Sequence, residues 1–125
     1  MKVKTDTKEK FHVISVQTSN LSGNMAAELS SYLLQQLQSP TRNIVLNLKE
    51  LVSSDKEALE RLVKVQQNFY EQNASFVICE LQADVEEFLD KEDLLELMNI
   101  TATESEAWDI VQMEEIEREL MEEDE

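Results

Sequence analysis

Apolar and polar residues alternate near the amino terminus: Phe11, Val13, Ser15 and Gln17 interleave with His12, Ile14 and Val16. A period of two predicts a β-strand, whose side chains point to opposite faces in turn. Residues 2–6 carry a second strand-like stretch, and Asp6-Thr7-Lys8-Glu9 between them can turn. The pair therefore reads as an antiparallel hairpin. The period then changes. Ala26, Leu29, Leu33 and Leu37 recur at spacings of three and four, with Met25 and Tyr32 beside them. This predicts an amphipathic helix entered at Ser22-Gly23-Asn24 and ended near Ser39-Pro40. Ile44-Val45-Leu46-Asn47-Leu48 is nearly all apolar, as expected of a central strand covered on both sides.

Leu59, Leu62, Val63, Phe69 and Tyr70 form the dry side of the next helix; Lys56, Glu57, Glu60, Arg61 and Lys64 form its wet side. Residues 74–79 repeat the buried-strand pattern. Val85, Phe88 and Leu89 mark a short helix, Asn99-Ile100-Thr101 an edge strand, and Thr103 the start of the last helix. The order is strand, strand, helix, then twice strand and helix, then edge strand and helix. Strand–helix–strand passes join parallel strands by a right-handed crossover. The predicted fold is α/β: a mixed four- to five-stranded sheet with about four helices, packed mainly on one face.

The last helix repeats Ala107, Ile110, Met113, Ile116 and Leu120 at helical spacing and is expected to run to about residue 120. Its stripe can pack on its own domain or on a partner, the first being the expected arrangement. Residues 114–125 hold eight acids and one base, Arg118, a net charge of −7. The chain thus divides into a body, residues 1–113, and an acidic extension, residues 114–125, with a solvated tip. Over the whole chain 27 acids stand against 11 bases, a formal charge of −16. Phosphate backbones and anionic membranes are repelled, since both need clustered Lys and Arg. A basic protein partner, or plain solubility, fits the charge better.

No apolar run approaches a membrane span, and the first residues lack a signal-peptide core. Together with a single cysteine, Cys79, these features point to a reducing cytoplasm. Cys79 lies in an apolar strand and reads as a small buried hydrophobe. His12, the lone histidine, has no partners at metal-ligand spacing. Trp108 reads as a sheet-facing anchor. The acids Glu86, Glu87, Asp90, Glu92 and Asp93 read as wet helix faces. With one glycine in the chain, Gly23, no glycine-rich phosphate loop exists. No catalytic constellation and no cofactor are implied.

The junction Val52-Ser53-Ser54-Asp55-Lys56-Glu57 carries the densest local signal. Ser54-Asp55-Lys56-Glu57 fits the S-x-x-E capping box. In it the serine oxygen accepts from the amide of Glu57, and the glutamate reaches back to the amide of Ser54. Thr103-Glu104-Ser105-Glu106 repeats the pattern. Ser54 is thus expected to cap, and Ser53 to stand outside the helix as a bystander.

From about residue 10 to residue 113 the chain resembles the STAS domain, the fold of the bacterial anti-sigma-factor antagonists. The resemblance lies in the element order and in "IVLNLKEL", in Asp55 and Leu59, in "FVICEL", in "VEEFLDKEDLLELMNI" and in "ATESEAW". It implies a regulatory, non-enzymatic protein that binds an anti-sigma factor or another regulatory protein. The implied surface comprises Ser22 and Asn24 with Ser53, Ser54, Asp55, Lys56 and Glu57. In that family an aspartate precedes a hydroxyl residue that a partner kinase phosphorylates. Here the acceptor position is Lys56, the serine after it is Glu57, and the following glycine is Ala58. A further usual glycine, before Leu94, is Asp93. A helix amino terminus accommodates an added phosphate, and the phosphate repels a docked acidic surface. Lysine cannot carry that modification, so the resemblance implies a module without the usual switch. Ser53 and Ser54 lie before the acceptor position and are not expected to replace it. The alternative reading is an accessory or scaffold STAS-like subunit of a signalling or transport complex, docked to a basic partner through its acidic last helix.

Overall fold

The chain is described by a computed structural model covering residues 2–123. Five strands form the main sheet: β1 (Val3–Thr7), β2 (Phe11–Val16), β4 (Asn43–Asn47), β6 (Phe76–Cys79) and β7 (Ile100–Thr101). They lie in the order β1-β2-β4-β6-β7. β1 and β2 form the expected antiparallel hairpin, with Val3 opposite Val16, and every other pair is parallel. The sheet is therefore mixed, as the pattern predicted. β4 is buried along its whole length, which explains its lack of alternation. A separate two-stranded ribbon, β3 (Asn20–Leu21) with β5 (Ser53–Ser54), was not foreseen. Strands of two residues carry no readable period.

Among the described residues there are four α-helices: α1 (Gly23–Gln35), α2 (Lys56–Glu71), α3 (Ala83–Lys91) and α4 (Glu104–Glu123). Short 3₁₀ turns at Gln36–Gln38 and Leu95–Leu97 follow α1 and α3. Ile14, Val16, Ile44, Leu46, Phe76 and Ile78 form one face of the sheet and pack on Leu29, Leu33, Leu59, Leu62, Phe69, Val85 and Leu89 of α1 to α3. The other face offers Phe11, Val13, Val45, Val77 and Cys79 to Ala107 and Val111 of α4. Three helices thus cover one face and one helix crosses the other. Burial pushes the Cys79 thiol up to about 12, helped by the nearby carboxylates of Glu104 and Glu80. It is the buried hydrophobe the sequence implied. Trp108 meets Phe11 edge-on, with ring centroids 5.3 Å apart, and so faces the sheet as expected.

With glycine so scarce, other residues make the left-handed helix stops. Asn73 (φ 59°) follows α2 and Asp93 (φ 60°) follows α3. Ala74 N–H donates to Phe69 C=O and Asn73 N–H to Tyr70 C=O; Leu94 and Asp93 repeat this toward Leu89 and Asp90. Both are complete Schellman closures. Asn and Asp tolerate this backbone region better than most side chains do.

α4 passes through Met113 as one helix, as expected, and ends at Glu123, a little beyond the expected residue 120. The packing of its stripe departs from expectation. Ala107 and Val111 are buried, but Met113, Ile116, Leu120 and Met121 are each more than half exposed. The stripe therefore does not pack on its own domain beyond Val111. The helix turns a different set of side chains inward there. Glu114 Oε1 accepts from Tyr70 Oη (2.8 Å) and Ser75 Oγ (2.6 Å). Arg118 donates to Asn43 Oδ1, Ser75 Oγ and Glu115 Oε2 at 2.9–3.1 Å. The solvated tip of the acidic tail, Asp124 and Glu125, falls outside the described residues.

Candidate partner-binding site

The predicted surface lies where the chain leaves the carboxyl ends of β2 and β4. Asn20 pairs with Ser53 and Leu21 with Ser54, in parallel. Backbone bonds extend this ribbon: Val52 and Ser53 N–H donate to Ser19 C=O, and Asp55 N–H donates to Leu21 C=O at 3.0 Å. Both strands then enter helices, so the amino ends of α1 and α2 emerge together. Ser22 caps α1, its Oγ accepting from Met25 N–H at 3.3 Å. Asn24 is exposed on the first turn of that helix. The structure therefore places the expected residues side by side, Ser22 and Asn24 at one helix start and Ser53 to Glu57 at the other.

The capping box at Ser54 is not formed. Ser54 Oγ donates to the carbonyls of Leu21 and Asp55 instead of accepting from Glu57. The ribbon claims Ser54 as a strand residue, so the helix starts one position later. Asp55 is the N-cap, in extended conformation, and makes no side-chain cap to its own helix. Its Oδ2 reaches across to accept from Gly23 N–H at 3.1 Å. One carboxylate thus satisfies a free amide of α1 from the start of α2, where helix amino ends favour negative charge. Nor is Ser53 a bystander, because its hydroxyl donates to Asn20 Oδ1 at 2.9 Å.

Glu57 does not reach back to Ser54. It lies 3.4 Å from Arg61 and leans over Gly23, where an added Cβ would stand 2.8 Å from Glu57 Oε2. Lys56, the first residue of α2, points the other way and meets Glu92 after α3 at 3.3 Å. Glu92 is thus an exception among the acids expected to be purely wet. Between β5 and α3 runs an open groove of about 180 Å³ lined by Val52, Ser53, Ser54, Asp84, Val85 and Phe88. Val52 is half exposed at its rim. Sequence reasoning missed Val52, Phe88, Asn20 and Glu92. Apolar Val52 follows buried Leu51, and no local pattern marks it as exposed; the ribbon turns it outward.

The corner offers amides, two carboxylates, one amine, hydroxyls and a small apolar groove, all open to solvent. Among the described residues no group of three or more His, Cys, Asp or Glu could hold a metal ion, and no helix is long and apolar enough to cross a membrane. His12 is buried in β2, its Nδ1 2.9 Å from Thr7 Oγ1.

The family model for the STAS domain matches residues 2–107. The chain belongs to the STAS-domain family. Its fold is similar to that of an anti-sigma-factor antagonist (STAS) domain protein from Planctomyces limnophilus. The two are 20% identical over 84% of this chain and 93% of the other, with a TM-score of 0.72. An RsbS variant from Moorella thermoacetica gives 15% identity, coverage of 90% and 96%, and a TM-score of 0.73. A murine solute carrier family 26 anion transporter gives 11% identity and a TM-score of 0.69; 83% of this chain is covered but only 18% of the transporter. No curated protein matches the chain.

Two residues singled out by the resemblance have definite surroundings. Lys56, which the resemblance equates with a phosphate acceptor, pairs its ammonium with Glu92. Asp93, where the resemblance expects a glycine, has a left-handed backbone. Glycine suits that backbone without strain, and Asp93 bears it at a modest cost.

Proposed function

We propose that this STAS chain is a non-enzymatic regulatory module. It docks a partner protein, of the anti-sigma-factor type, on the corner formed by the starts of α1 and α2. Occupying that partner releases whatever the partner would otherwise hold. The observation that carries the reading is the commitment of Asp55. Its side chain bridges two helix starts, which fixes the corner while Lys56, Asn24 and the groove beside Val52 stay accessible. A rigid, exposed, mixed polar and apolar corner favours recognition with little ordering cost.

The same geometry supports a module without the usual switch. A hydroxyl at the first position of α2 would stand beside free amides that welcome a phosphate. Lys56 presents an amine there, and Ser53 and Ser54 spend their hydroxyls on the ribbon. Lys56→Glu, which reverses one exposed charge, is expected to weaken co-purification of the native partner about tenfold or more. Asp55→Ala should weaken it through the loosened corner. Undiminished capture by both variants would refute the surface. Stoichiometric phosphate on Ser53 or Ser54 in the native protein, read by intact-mass analysis, would refute the absence of a switch.

A further inference from the structure

The second half of α4 has two faces. Turned inward are Val111, Glu114 and Arg118, the last two bound to Tyr70, Ser75 and Asn43. A step of 100° per residue places Met113, Ile116 and Leu120 on the opposite side. They stand 59%, 55% and 56% exposed, so the seam is open to solvent along about 10 Å of helix. Their spacing of three and four is that of a helix-packing seam. On either side of it stand Glu117 and Glu119, the positions that choose a partner's charge in paired helices. Glu117 is exposed; Glu119 lies 3.3 Å from Lys10 and remains half exposed.

The seam continues into a notch. Between α4 and the β1–β2 turn lies a cavity of about 300 Å³ lined by Phe11, Trp108, Gln112, Ile116, Lys8 and Glu119, among others. Its walls offer aromatic and aliphatic surface, enough for a large apolar side chain. The Trp108 Nε1–H is shielded from solvent and has no acceptor. The last turn of α4 holds no base, so the negative end of the helix dipole adds to the acids there rather than being offset.

We propose that this face of α4 docks a cationic amphipathic helix of another protein. Its apolar seam would lie on Met113, Ile116 and Leu120, one large side chain would fill the notch at Trp108, and Lys or Arg would flank Glu117 and Glu119. A second copy of this chain does not fit. Its own helix offers no Lys or Arg to flank Glu117 and Glu119 across the seam, and each molecule carries a formal charge of −16. The polar clamp of Glu114 and Arg118 gives the face its rigidity, because it holds the helix to the body without using the apolar stripe. This site is separate from the corner at Asp55 and stands whether or not that corner binds a partner.

The test uses the full chain and two synthetic helical peptides of equal length with a leucine seam, one flanked by lysine and one by glutamate. Trp108, the only tryptophan in the chain, reports occupancy by its emission, and calorimetry gives the affinity. The lysine peptide is expected to bind, shift the Trp108 emission and weaken as salt rises. The glutamate peptide should not bind. Leu120→Asp, at an exposed position, should weaken the lysine peptide about tenfold or more. Glu117→Lys with Glu119→Lys should exchange the preference between peptides. Lys56→Glu should leave peptide binding unchanged, so this face and the corner succeed or fail separately. The proposal is overturned by no binding of the lysine peptide, by equal binding of both peptides, or by indifference to Leu120→Asp. Sedimentation showing a dimer of the free chain that Leu120→Asp dissolves would overturn it as well.

Discussion

At the carboxyl ends of β2 and β4 the chain is fastened mostly by its own backbone. At their amino ends it is fastened by side chains. The corner near Asp55 rests on ribbon bonds from Ser19, Leu21, Val52 and Asp55, with Asp55 Oδ2 on Gly23 as the main side-chain tie. The opposite end is organised by Asn43, which is buried. Its Nδ2 donates to Lys10 C=O (2.9 Å) and Glu115 (3.0 Å), and its Oδ1 accepts from Ser75 N–H (2.7 Å) and Arg118 (3.1 Å). Backbone fastening leaves Asn24 and Val52 exposed to a partner. Side-chain fastening uses them up and ties stability to particular residues.

Removing the hub should expose that contrast most strongly. Asn43→Ala would strand a buried Ser75 amide and the Lys10 carbonyl, and would loosen Glu115 and Arg118. A loss of about 3 kcal/mol is expected, read as a lower denaturant midpoint at unchanged slope. Because the seam on α4 is presented by this clamp, the far end of the helix should also lose amide-exchange protection. A cost within about 0.5 kcal/mol, the range of a surface substitution, would place the clamp's bonds among those that water replaces without loss.

Acid should act on that same end. Burial is the largest single influence on the Glu115 carboxyl and raises it, but hydrogen bonds from Asn43 and Arg118, with the charge of Arg118 and Lys10, together hold it below its ordinary value of 4.5. A depressed carboxyl stabilises the fold above its unfolded value and ceases to do so as pH falls through its folded one. The clamp is therefore at full strength above about pH 4.5 and weakens below it. Glu115→Gln should flatten that part of the stability profile, measured as denaturant midpoint against pH. An unchanged acid limb would show that Glu115 does not carry it.

The two ends were also unequally legible. Period two in β2, period 3.6 in α1 and α2, and the unbroken apolar runs of β4 and β6 are local signals, and they predicted the sheet and helices. The corner had local signals too, but a local signal can be overruled. Ser54 and Thr103 open the same S/T-x-x-E pattern. Thr103 Oγ1 does accept from Glu106 N–H at 3.3 Å, because nothing else claims it as a strand. Ser54 is claimed by β3, a segment more than thirty residues earlier in the chain. The clamp had no local signal at all. Asn43, Ser75, Glu114 and Arg118 are brought together by topology alone. The sequence pattern therefore assigns Glu114 and Glu115 to an acidic extension and gives them no partners.

Ser54→Ala is the smallest change and the one that separates the two accounts of the corner. If Ser54 capped α2, its loss should cost about 1 kcal/mol, as N-cap serines do. In the ribbon its hydroxyl donates only to the carbonyls of Leu21 and Asp55. The Leu21 carbonyl already accepts from Asp55 N–H, and the Asp55 carbonyl from Leu59 N–H. Removing the hydroxyl strands neither acceptor, so a loss of no more than about 0.5 kcal/mol is expected. Thr103→Ala, measured beside it in the same denaturant series, should cost about 1 kcal/mol, since it removes the oxygen that accepts from Glu106 N–H. Equal losses at the two positions would return Ser54 to the helix and undo the assignment of Asp55 as the residue that ties α2 to α1.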